Sequence, residues 1–179
     1  MNAIVSLLDE EHDRIVRDLW DELDQDFGVT SQYANPFTHF SYHVANDYEL
    51  DALRPMLDGL VHDHAPFTIT TAGLGVFTGT RPVLFVPVVR SPDLDALHTA
   101  LWSRCTAAFG VGLPFYAPDA WVPHVTLAQG PAAVERFPDV VRAMAHRDFA
   151  WRLRIDNLAV IEDGAPDRGL RLNVALDGR

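Results

Sequence analysis

The chain contains no lysine: all 14 of its basic residues are arginine, and nowhere do they gather into a basic run. Against 25 acidic residues this leaves a formal net charge of −11. Long nucleic acids are held by basic surface that neutralises their phosphates, so duplex binding is excluded. A short or terminal phosphate in a locally polar cleft remains compatible. Cys105 is the only cysteine, which excludes an intrachain disulfide. The longest apolar run, Val83–Val89, is far too short to span a membrane. The first eight residues lead straight into Asp9, Glu10 and Glu11, without the basic start and longer apolar core of a secretion signal. A cytoplasmic protein with no membrane partner is the expectation.

What is present is ample for a folded core. The hydrophobic fraction is 48%, which argues against disorder and fits one domain over residues 1–179. Residues 3–8 read as a strand and 10–26 as an amphipathic helix carrying Ile15, Leu19, Trp20 and Leu23, ended by Gly28. Residues 37–44 form a strand, and 48–62 a helix with Leu50, Leu53, Leu57 and Leu60 at helical spacing. Short strands at 67–71 and 75–78 precede an apolar strand at 82–89. Ser91 caps a helix that runs to Phe109, with Pro92 in its first turn. A loop rich in glycine and proline, 110–119, leads to a strand at 121–128 and a helix at 132–146. Strands at 151–161 and 170–176 close the chain.

Two of these strands carry the same chemistry. His39-Phe40-Ser41 and His124-Val125-Thr126 each place a hydroxyl two residues after a histidine. Residues i and i+2 of a strand share a face, so each segment aims an imidazole and a hydroxyl at one surface. Alternation puts His39, Ser41 and His43 on one side of the first strand and Phe40, Tyr42 and Val44 on the other. In the second, His124, Thr126 and Ala128 oppose Val125 and Leu127. Each histidine strand also follows a long helix and precedes another helix and at least two strands, a weak internal duplication of element order. Two such halves would pair around a cleft, with His39 and His124 facing one another across it. Two imidazoles supply a general base and a general acid, and two hydroxyls can hold the oxygens of a phosphoryl group.

Through these segments the chain resembles the two-histidine (2H) phosphoesterase superfamily, which includes the 2′-5′ RNA ligase-like proteins and cyclic nucleotide phosphodiesterases. Trp121-Val122-Pro123-His124-Val125-Thr126-Leu127 matches the second family motif, proline included. The likeness extends over Arg81-Pro82-Val83-Leu84-Phe85-Val86-Pro87-Val88 and the helix carrying Leu94, Leu97 and Leu101. The first motif departs from the family pattern, with Thr38 in place of proline, Ser41 in place of threonine, and the additional His43. The resemblance implies a bilobal α+β fold whose antiparallel sheets line a central cleft, with helices outside. It implies a phosphodiesterase of 2′,3′-cyclic phosphates or 2′-5′ linked nucleotides and RNA ends. His39 and His124 would then be acid and base in either order, with Ser41 and Thr126 on the non-bridging oxygens.

Arg81 and Tyr116 are the candidates for substrate binding, by neutralising phosphate and by stacking on a base. His43 reads as a buried hydrogen-bonding residue and His62-Asp63-His64 as a helix-end cap. His12, His98 and His146 read as surface residues. No cofactor is expected, and no metal, because no carboxylate sits at ligand spacing with His39 or His124. The expected partner is a nucleotide or short RNA terminus, and the expected state a monomer. A non-catalytic nucleotide- or phosphate-binding module using the same cleft is the alternative.

Overall fold

The computed structural model describes residues 1–30, 36–162 and 169–178. Within them the elements run β1 (Asn2–Leu7), α1 (Glu10–Phe27), β2 (His39–Ala45), α2 (Leu50–Asp63), β3 (Phe67–Thr71), β4 (Gly75–Phe77) and β5 (Val83–Val89). They continue with α3 (Pro92–Phe109), a 3₁₀ turn at Pro114–Tyr116, β6 (His124–Ala128), α4 (Pro131–Met144), β7 (Arg152–Ile155), β8 (Asn157–Glu162) and β9 (Leu170–Ala175). Local chemistry sets the helix ends as expected. Ser91 accepts from the backbone N–H of Leu94, and Asp9 accepts from that of His12, so each satisfies a first-turn donor. Gly28 closes α1 at φ 68°, in the left-handed region that glycine enters without penalty.

Two antiparallel sheets form the bilobal α+β architecture. The first has the order β2-β1-β8-β9; the second has the order β4-β5-β3-β7, with β6 also paired to β5. Leu84 and Phe85 pair with β4 and β6 at once, so those two strands lie on opposite edges of β5. Each histidine strand therefore lies beside a single neighbour in its sheet, β2 against β1 and β6 against β5. The main core draws on both sheets and all four described helices, with Phe40, Tyr42, Leu57, Leu97, Val125 and Leu158 fully or almost fully buried. A smaller cluster of Val5, Ala159 and Ile161 lies on the opposite face of the first sheet. Among the described residues no helix is long and apolar enough to cross a membrane.

The segment expected as one strand over 151–161 is two. β7 joins β3 in the second sheet, while β8 joins β1 and β9 in the first. Asp156 is the junction, and its carbonyl accepts from the Leu176 N–H. Asn157 then extends the ladder with its side chain: its amide oxygen accepts from Leu7 N–H at 2.9 Å and its amide nitrogen donates to the Leu7 carbonyl at 3.0 Å.

Two histidines expected at the surface are buried instead. His12 shares the inner face of α1 with Val16, Leu19, Trp20 and Leu23, and its Nδ1 lies 2.6 Å from Asp9. His98 is fully buried on α3. Its Nε2 donates to the carbonyls of Tyr42 (3.2 Å) and Tyr116 (3.0 Å), and its ring stacks on Trp121 at 3.7 Å. His146 is exposed, as expected. His43 is fully buried, with Nδ1 2.5 Å from the Tyr48 hydroxyl and Gly112 packed on its far side, where a Cβ would lie 2.5 Å from Nε2.

Burial, with a smaller contribution from His98, pushes His43 down to about 4. Burial also pushes His98 down to about 4 against the opposing pull of its two carbonyl partners. Both folded values lie below the ordinary value of about 6.5, so the unfolded chain takes up protons first as pH falls. Stability is then full above pH ~6.5 and drains between there and pH ~4, by about 2 kcal/mol per histidine at pH 5. Urea unfolding at pH 7.5 and pH 5 measures this, and equal stability at the two would contradict it.

Candidate active site

An additional residue in each histidine strand decides what faces the cleft. Along β2, Leu7 pairs with His39 and Val5 with Ser41, but Ile4 pairs with His43, so Tyr42 is a bulge. Along β6, Pro87 pairs with His124 and Phe85 with Thr126, but Leu84 pairs with Ala128, so Leu127 is a bulge at the matching position. Paired residues share a face. His39 and Ser41 thus lie on the side of Val5, while His43 follows Ile4 into the core. The uniform alternation expected from sequence breaks at this point. Val44 takes the cleft side that His43 was expected to hold, and Gln129 takes the one expected for Ala128.

His39, Ser41, His124 and Thr126 line one cleft of about 280 Å³, together with Trp20, Phe37, Val44, Tyr116 and Gln129. The two imidazoles are anchored alike. His39 Nδ1 donates to the Phe37 carbonyl at 2.6 Å, and His124 Nδ1 donates to the Val122 carbonyl at 2.7 Å. A carbonyl only accepts, so Nδ1 carries the proton and in each neutral ring the lone pair sits on Nε2. The residues before the histidines match too: the Thr38 carbonyl accepts from Leu8 N–H, and the Pro123 carbonyl from Val88 N–H. The Thr38 hydroxyl donates to Asp13 of α1 at 2.5 Å, a tie that a proline at this position could not make.

Two tryptophans tie the halves together. Trp121, just ahead of β6, donates its indole N–H to the Ser41 carbonyl at 2.8 Å. Trp20 of α1 donates to the Thr126 carbonyl at 3.2 Å. Each indole thus holds the histidine strand of the other half. Tyr116 reaches the cleft, and burial raises its pKa against a lowering influence of the Ser41 side chain. Arg81 is exposed in the turn between β4 and β5 and is not among the cleft-lining residues.

His124 is set among aromatic rings. His124 lies edge-on to Phe77 (4.9 Å between centroids) and against Phe85 (5.0 Å). Burial there lowers its pKa, against the raising effect of the Val122 carbonyl. Phe85 reaches this position because Gly75 of the paired strand β4 leaves room for its ring. Sequence reasoning did not place Phe77, Phe85, Trp20 or Gln129 at the site. The repeated apolar strand-plus-histidine pattern accounts for β5 and β6 but does not encode which ring touches which.

The remaining histidines do not join this cleft. His64 Nδ1 donates to the Leu60 carbonyl, the helix-end cap expected of it, and His62 Nδ1 lies 2.8 Å from Asp177. Among the described residues no three His, Cys, Asp or Glu side chains come together to hold a metal ion.

Two anchored imidazoles and two hydroxyls in a bilobal cleft define the two-histidine phosphoesterase class, and similarity to known proteins agrees. The model of the 2′-5′ RNA ligase superfamily matches residues 9–167, and the chain belongs to that superfamily. A Bacillus cereus protein bearing the name "Putative phosphoesterase" is 25% identical over 121 residues, covering 65% of this chain and 63% of its own length. The chain thus matches less than two thirds of that relative. Among solved structures, TT0787 of Thermus thermophilus superposes with TM-score 0.66 at 19% identity, covering 99% of this chain and 98% of its own. E. coli LigT, solved with NADP+, superposes with TM-score 0.61 at 16% identity, covering 98% and 96%.

The packing of Phe85 over Gly75 is open to direct test. A Cβ at position 75 would lie 2.2 Å from the Phe85 ring, so Gly75→Ala must displace it. Such overpacking costs about 1–3 kcal/mol. The displaced ring would also let water reach His124 and move its pKa back towards the ordinary value. Denaturant unfolding and NMR titration of the His124 imidazole read the two effects, and a variant unchanged in both would contradict the packing.

Proposed function

We propose that the protein is a phosphodiesterase in which His39 and His124 act as a general acid–base pair on a 2′,3′-cyclic phosphate or a 2′-5′ linked nucleotide or RNA end, without a metal ion. The observation that carries this reading is the matched pair of histidines lining one cleft, each held through Nδ1 so that Nε2 does the chemistry. In hydrolysis, one Nε2 takes a proton from water as its oxygen bonds to phosphorus. The other, protonated, gives its proton to the ribose oxygen as the phosphorus–oxygen bond breaks. The Ser41 and Thr126 hydroxyls donate to the non-bridging oxygens and stabilise charge that grows in the transition state.

The apolar contacts of His124 favour its neutral form and support it as the base in this direction, leaving His39 as the acid. The reverse reaction exchanges the roles. Since burial lowers the His124 pKa, the acidic limb of the kcat/KM profile is expected below pH ~6.5. Structures of LigT with ATP, 3′-AMP and NADP+ support a nucleotide as the kind of ligand. Neutral side chains, with no arginine among the described residues that line the cleft, suit a single phosphate in an acidic protein.

Turnover of adenosine 2′,3′-cyclic phosphate in EDTA, with His39→Ala and His124→Ala, tests the reading. Each substitution should lower kcat by about 10²–10⁴, and the double variant should be little worse than either, because both groups serve one transition state. Ser41→Ala and Thr126→Ala should cost less, each removing one hydrogen bond while leaving proton transfer intact. Loss of all turnover in EDTA with recovery on added zinc would contradict the mechanism. Nucleotide binding without turnover would select the non-catalytic module instead.

A further inference from the structure

A second trough, of about 510 Å³, opens beside the cleft and shares Tyr116, His124, Thr126 and Gln129 with it. Its other walls include Phe77, Val83, Leu113, Phe115 and Val122. Three of these are large apolar side chains left in water, with Phe115 79%, Val122 45% and Phe77 37% exposed. Apolar side chains grouped around one concavity next to a reactive centre mark a place where an apolar group is received. Charge points the same way. Among the described residues, neither the trough nor the cleft is lined by any arginine, aspartate or glutamate. A second phosphate entering the trough would shed its hydration with no arginine among the described lining residues to offset the loss.

We propose that this trough is a subsite for the uncharged, largely apolar ring group esterified to the phosphate on the His124 side, so that the preferred substrate is a diester carrying a single phosphate. The inference rests on the two-histidine reading above and adds to it the class of group that flanks the phosphate. A ring lying against Phe77, Phe115 and Val122 would bury those side chains along with its own faces. The scissile phosphate would remain between the two imidazoles.

Binding of inorganic phosphate and of phenyl phosphate, measured by calorimetry, tests the proposal without requiring turnover. Burying one phenyl group should tighten phenyl phosphate over inorganic phosphate by on the order of tenfold or more. Phe115→Ser and Phe115→Asn alter an exposed side chain that does not line the cleft, so the fold should persist. Each should remove most of that advantage while leaving inorganic phosphate binding near its original strength. Equal affinity for the two probes, or an advantage that survives both substitutions, would overturn the subsite and leave the two-histidine reading standing. If neither probe binds, or if inorganic phosphate binding survives His39→Ala with His124→Ala, both readings fall. In turnover, a 5′-phosphate added to a 2′,3′-cyclic nucleotide should lower kcat/KM by about tenfold or more; an increase would overturn the single-phosphate preference.

Discussion

The bulges at Tyr42 and Leu127 govern which chemistry the cleft receives. A regular strand alternates without interruption, and without the bulge β2 would send His43 to the cleft and Val44 to the core. With it, a polar ring goes inward, where Tyr48 meets it, and a valine forms part of the cleft wall. The same device in β6 turns Ala128 inward and brings Gln129 to the cleft. The reactive groups left on the cleft side of each strand are one histidine and one hydroxyl. The bulges are thus selective, since they separate His39 from a neighbour only four residues away that would otherwise compete with it.

Around that arrangement the two halves support one another. The indole of each tryptophan crosses to a backbone carbonyl in the other half, at Ser41 and at Thr126. His98 backs this up from within, stacking on Trp121 and donating to the carbonyls of Tyr42 and Tyr116. A buried neutral histidine here links the core, the first histidine strand and the turn that carries Tyr116. His124 is wrapped by phenyl rings, and the adjoining trough is apolar, whereas the His39 side of the cleft is closed by β1 and Phe37.

Much of this was legible in the residues. The order of strands and helices, the shared cleft of His39 and His124, and the position of Ser41 and Thr126 beside them follow from alternation, capping residues and motif resemblance. His43 was rightly read as buried, though not for the right geometric reason, since a bulge leaves no mark in a hydrophobic pattern. The burial of His98 did have a signal. It sits four residues after Leu94 and three before Leu101, on the core face of its helix, and His12 likewise precedes Val16 by one turn. Polarity was given too much weight there, because an imidazole whose ring nitrogen is hydrogen-bonded to a carbonyl or a carboxylate can be buried at low cost. The break at Asp156 was hidden because strands of two different sheets adjoin there with one residue between them. Arg81 illustrates the converse: a charge near a motif in sequence need not reach the site in space.

The central claim is that one phosphate sits between two imidazoles. A crystal structure of the protein soaked in vanadate or phosphate tests it most directly. The account predicts the ion bridging Nε2 of His39 and Nε2 of His124 at ~3 Å from each, with the Ser41 and Thr126 hydroxyls on its oxygens. An ion held by only one of the two histidines, or bound away from both, would contradict it.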